Sequence, residues 1–135
     1  MVWVRSTPCC DCSDRGGRST RILVWITITI FAAALVGGAT LGMMRLARKP
    51  LPPVVIHGHG GMAAIGVALL IVVAFTHPMT PALGISLVFM VVAAMVGLIM
   101  AAVASKTGRL RVGVMLTHAV MAICGFVALL AYKVG

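Results

Sequence analysis

His59 and His118 are the residues in this chain whose type and placement could do chemistry. Each stands near the head of an apolar stretch, "VVIHGHGGMAAIGVALLIVVA" over residues 54–74 and "VMLTHAVMAICGFVALLAYKV" over 114–134. In both, Met, Ala, Gly and Leu follow the histidine at offsets +3, +4, +7 and +11, which fall on one face of an α-helix. One stripe is His59, Met62, Ala63, Gly66 and Leu70; its counterpart is His118, Met121, Ala122, Gly125 and Leu129. Two neutral imidazoles facing each other at one depth are the donor set of a six-coordinate b-type haem, whose iron takes one axial nitrogen from each side. The arrangement is similar in kind to bis-histidine membrane cytochromes.

His59 and His118 are therefore candidate axial ligands of haem b, with Met62 and Met121 as alternates. Arg48, Lys49, Arg109 or Arg111 could pair with the propionates. The plainer alternative is structural: a histidine one or two turns below the headgroups can bond a backbone carbonyl of a neighbouring helix without holding anything. Contact with a quinone or a lipid headgroup is a third reading. The eye-catching His57 lies about 200° around the helix from His59, so the pair does not chelate from one face. His77, before Pro78, reads as a loop residue.

What the chain lacks narrows the chemistry further. Asp11 and Asp14 are its only acidic residues, and it contains no Glu, Gln or Asn. A proton-coupled transporter needs a titratable acceptor inside the membrane, and carboxylate acid/base pairs need carboxylates. Enzymatic activity is not expected, and a dimeric small-molecule transporter is disfavoured. Cys9, Cys10 and Cys12 in "PCCDCSD" are too tightly spaced for a structural zinc site, so no metal centre is assigned. Cys124 reads as an inert packing residue. Thr27, Thr29, Thr40, Ser86 and Thr117 can each bond a carbonyl of their own helix.

The elements that position the histidines follow from composition. The chain of 135 residues is 61% hydrophobic and 10% charged, with its apolar residues gathered in four long blocks. About 20 such residues cross the roughly 30 Å of bilayer hydrocarbon. Spans are expected at 22–44, 54–75, 82–104 and 112–132, joined by connections short enough to make neighbouring helices antiparallel. Residues 1–21 form a polar tail expected to be disordered, and 22–135 form the membrane domain.

The formal charge of +9 sits mostly at span ends, which suits anionic headgroups and not nucleic acid. Loops 45–53 and 105–111 hold six Lys/Arg and favour a cytoplasmic position, against four arginines in the tail.

A shift of 59 positions aligns His59 with His118 and brings together about nine identities over roughly forty positions, more than this low-complexity composition gives by chance. Ala34 and Gly38 align with Ala93 and Gly97, extended to Gly42 and Ala101, as small residues four apart that let helices approach closely. Gly66 and Gly125 add small positions on the second and fourth spans.

The expected fold is an all-α integral membrane four-helix antiparallel bundle, built as a tandem repeat of two helical hairpins. The expected setting is the lipid bilayer of a cell membrane, a bacterial inner membrane, crossed several times. The leading functional expectation is a non-enzymatic accessory or assembly subunit of a larger membrane complex or homo-oligomer. The alternative is a b-type cytochrome-like electron carrier.

Overall fold

The computed structural model describes residues 11–107 and 111–134. They form four helices: α1 (Asp11–Leu46), α2 (Pro53–Thr76), α3 (Pro81–Thr107) and α4 (Val112–Val134). Each contains a segment long and apolar enough to cross a membrane: Arg21–Leu46, Pro53–Thr76, Pro81–Lys106 and Val112–Val134. These ends lie within a few residues of the expected ones. α1, however, begins at Asp11, inside the stretch expected to be a disordered tail. Residues 1–10, with Cys9 and Cys10, lie outside the described residues, as does Arg109.

Local chemistry sets the helix ends. α2 and α3 each start on proline, whose missing N–H costs nothing in the first turn and whose ring presets a helical φ. α2 stops at His77, held at φ −121° and ψ 154° by the proline that follows it. α1 closes differently. Lys49 N–H donates to Met44 O (2.9 Å) and Arg48 N–H to Arg45 O (3.1 Å), around an Arg48 φ of 55°. This is a Schellman turn with arginine in the left-handed position that glycine normally takes.

α1 packs chiefly on α2, and α3 chiefly on α4, with lesser contacts for α2–α3 and α1–α4. Among the described residues no close backbone approach joins α1 with α3 or α2 with α4, so the helices stand in the order 1-2-3-4 around a square with those pairs on the diagonals. His59 meets Gly37 and Gly38, whereas Gly66 meets Phe31; rising numbers on α2 therefore meet falling numbers on α1.

Fourteen described residues are buried, and twelve of them fall into six pairs separated by 59 positions. On α1 and α3 the pairs are Val24 with Leu83, Thr27 with Ser86, Phe31 with Met90, and Ala34 with Ala93. On α2 and α4 they are Gly66 with Gly125 and Leu70 with Leu129. The two left over, Ile28 and Val73, align with Leu87 and Tyr132, which pack against the same core while staying partly exposed.

All fourteen lie toward the end where α2 passes into α3. Among the described residues, none between 35 and 65 or between 94 and 124 is buried. The bundle is thus tightly packed at one end and loosely packed at the other. His59 and His118 sit at the boundary.

Candidate functional site

The two histidines occupy diagonal helices and meet in the middle, with ring centroids 6.2 Å apart and planes at 85°. Each is anchored identically within its own hairpin. His59 Nδ1 lies 2.8 Å from Ala34 O, and His118 Nδ1 lies 2.8 Å from Ala93 O. A carbonyl only accepts, so both bonds require the Nδ1–H tautomer for neutral rings, leaving each Nε2 with a free lone pair. Among the described residues neither Nε2 has a hydrogen-bond partner. Nδ1 and Nε2 flank Cε1, and this edge of each ring lies against the glycine of its own hairpin: an added Cβ would lie 3.5 Å from His59 Nε2 at Gly38 and 3.9 Å from His118 Nε2 at Gly97.

The small residues of α1 and α3 seat these rings. A Cβ added at Gly38 would lie 2.9 Å from His59 Cε1, and one at Gly97 would lie 3.1 Å from His118 Cε1. Ala34 and Ala93 are buried and supply the accepting carbonyls. Two turns further along, Gly66 receives the Phe31 ring, with 2.8 Å from an added Cβ to Phe31 Cε1, and Gly125 receives Met90, with 3.0 Å to its Cγ. Six of the eight small positions singled out in the sequence are thus occupied by contacts inside the chain. Gly42 meets nothing within 4 Å, and Ala101 is exposed.

A cavity of about 50 Å³ lies between the hairpins, lined by both imidazoles and by Ala34, Ala63, Ala93 and Ala122. Phe31 and Met90 also line it. Its lining is almost wholly apolar apart from the two rings. Met62 and Met121, the alternate ligands, are partly exposed and do not line it. His57 points elsewhere, its Nδ1 2.7 Å from Pro53 O within its own helix.

Three side chains behave differently from their sequence reading. His77 does more than occupy a loop: its ring packs edge-on against Tyr132 at 6.1 Å, with a buried Nε2 that has no partner. Cys124 is exposed on the outer surface of α4 and packs no core. Ser86 is fully buried, yet its Oγ has no hydrogen-bond partner, while Thr27, Thr29, Thr40 and Thr117 each donate to the carbonyl four residues back. The 59-residue alignment was the signal that could have found the Ala34 and Ala93 acceptors. It paired them with the histidines' own repeat, but no sequence pattern says which backbone oxygen a ring will reach. Among the described residues, no group of three or more His, Cys, Asp or Glu side chains could hold a metal ion.

Compared with protein-family models, curated proteins and solved structures, the chain has no significant match.

Proposed function

We propose that the chain is a multi-pass membrane protein made of two duplicated, antiparallel hairpins, and that it carries one electron at a time on a b-type haem held by His59 and His118. The observation that supports this most is the imidazole pair itself. Iron–imidazole bonds of roughly 2 Å on each side of a macrocycle separate two ring centroids by about 6 Å, and the rings stand 6.2 Å apart. The Nδ1–carbonyl bonds are the outer-sphere contacts that orient a ligating histidine and raise its basicity.

The bundle geometry supports the same reading. The other diagonal, between α1 and α3, is where small residues would leave room for a flat group beside the histidines. The small stripe there runs Ala34, Gly38, Gly42 on α1 and Ala93, Gly97, Ala101 on α3. A space of about 50 Å³ is far smaller than the several hundred Å³ of a cofactor pocket, so binding haem would require the helices to part at the loosely packed end. There the helices can part without breaking a buried core.

His59 and His118 would hold the haem, which when bound would supply one-electron exchange with other redox proteins of the same membrane. In that role the protein is a non-enzymatic partner or subunit of a larger complex in the cell membrane. The accessory-subunit reading by itself rested on the small-residue packing faces of the first and third spans. Most of those positions are used inside the chain, which is why the cofactor reading now stands ahead of it.

The cavity volume favours one second reading. A single soft ion such as copper(I), held by the two imidazoles, is small enough for a space of about 50 Å³. Purified protein produced with ample haem separates the two. A Soret band with a low-spin, reduced-minus-oxidised b-type signature, lost in His59→Ala and in His118→Ala, is the expected result. Colourless protein holding one equivalent of copper would replace haem with the second reading, and protein holding neither would sink both.

A further inference from the structure

The packed end of the bundle carries a second arrangement, which the histidine site does not use. Lys133, in the last turn of α4, reaches across to α1 and sets its Nζ 5.3 Å from the centre of the Trp25 ring. The contact bridges two helices that pack only lightly on each other. Trp25 is 56% exposed and Lys133 is half-buried, so the pair forms part of the outer surface along the α1–α4 seam. Arg21 is exposed and stands four residues before Trp25, one turn outward on the same face of α1. It opens the membrane-crossing segment of α1, and Lys133 comes next to last in that of α4. Both cations therefore belong to one edge of the apolar slab, the level at which tryptophan concentrates in membrane proteins.

Neither cation has a carboxylate side chain to pair with at this level. The chain's only acidic residues are Asp11 and Asp14, and even Asp14 lies seven residues before Arg21, about 10 Å further out along α1. An indole face attracts an ammonium through its quadrupole without taking up its three N–H donors, so Lys133 is held in place with those donors still to be used. Two cations flanking an interfacial indole, at the rim of a hydrocarbon slab, suit a ligand with a phosphate at the surface and acyl chains below it. We propose that Arg21, Trp25 and Lys133 form a binding site for the headgroup of an anionic phospholipid, whose phosphate meets both cations while its acyl chains enter the bilayer beside Trp25. A zwitterionic lipid offers the same phosphate but brings its own cation to the site, and that repulsion cancels much of the gain. The site is independent of whatever His59 and His118 hold and rests only on the chain crossing a membrane.

Trp25 itself reports occupancy once the other tryptophan, Trp3, is replaced by Phe. The full-length Trp3→Phe protein is reconstituted in vesicles that mix plain phosphatidylcholine with either brominated phosphatidylcholine or brominated phosphatidylglycerol, and quenching of Trp25 by bromine gives the relative affinity for the two headgroups. Phosphatidylglycerol is expected to bind beside Trp25 about tenfold more tightly than phosphatidylcholine. Arg21→Gln and Lys133→Gln are each expected to reduce that preference to about threefold, and Lys133→Arg to keep it. Lys49→Gln, in the connection at the opposite end of the bundle, is expected to leave it unchanged. Equal quenching by the two lipids, or a preference that survives both Arg21→Gln and Lys133→Gln, overturns the proposal. So does a preference that falls as far in Lys49→Gln, which marks general attraction to a basic protein instead of a site. Loss of the preference on adding inorganic phosphate, but not on adding sodium chloride of equal ionic strength, assigns the site to free phosphate and overturns the lipid assignment.

Discussion

A methyl group added at Gly38 measures how firmly His59 is held. The new Cβ would lie 2.9 Å from His59 Cε1, where ordinary contact begins near 3.4 Å, so ring and helix must separate by at least 0.5 Å. A free ring would swing aside at little cost, but this one is tied by its 2.8 Å bond to Ala34 O. Moving it by that amount stretches the bond to about 3.3 Å, past the useful range. Losing a hydrogen bond between membrane helices costs about 0.6–1.7 kcal/mol, and forced overpacking adds about 1–3 kcal/mol.

Replacing glycine by alanine inside a helix returns up to about 1 kcal/mol. The net expectation for Gly38→Ala is a loss of roughly 1–3 kcal/mol. At Gly97 the added Cβ would lie 3.1 Å from His118 Cε1, so a shift of 0.3 Å suffices and the 2.8 Å bond to Ala93 O survives at about 3.1 Å. Gly97→Ala should therefore be close to neutral. Reversible unfolding in mixed micelles reads both, and a His59→Ala background should turn Gly38→Ala from costly to neutral or favourable. Equal effects at the two glycines, or a cost at Gly38 that persists without the imidazole, would refute the reasoning.

Other perturbations have equally definite outcomes. Gly66→Ala places a methyl 2.8 Å from Phe31 Cε1 and should cost about 1–3 kcal/mol, largely restored by Phe31→Leu. Gly125→Ala should resist such rescue through Met90, because the Met90 backbone nitrogen at 3.2 Å also stands in its way; unfolding midpoints of the paired variants decide this. Ser86→Ala removes a fully buried hydroxyl without a partner and should stabilise by about 1 kcal/mol, seen as a raised melting temperature. Arg48→Gly relieves a side chain held at φ 55° and should stabilise the α1–α2 turn by about 1 kcal/mol; slower proteolysis at that connection would register it.

The local features of this protein were legible because they depend on local physics. Span length follows from bilayer thickness, so four apolar blocks located four helices to within a few residues, apart from the upstream extension of α1 to Asp11. Helical periodicity placed His59 on the face of Met62, Ala63 and Gly66, and separated it from His57, which indeed bonds within its own helix. The glycines four apart announced close packing, without saying what would fill the space. At Gly38 and Gly97 it is an imidazole; at Gly66 and Gly125 it is Phe31 and Met90.

Composition and periodicity by themselves determined the apolar helices, their ends, and the two histidine stripes with their 59-residue offset, since each depends on a residue and its near neighbours along one helix. Only the tertiary structure decided that both Nδ1 atoms find the carbonyls of Ala34 and Ala93, that the rings stop 6.2 Å apart, that Cys124 faces outward, and that one end of the bundle is packed while the other lies open. Those features depend on how four helices rotate and lean against one another. In an apolar chain nearly every face is equally greasy, so hydrophobicity alone does not choose the rotation; shape does, through the few places where a glycine or alanine lets a larger side chain in.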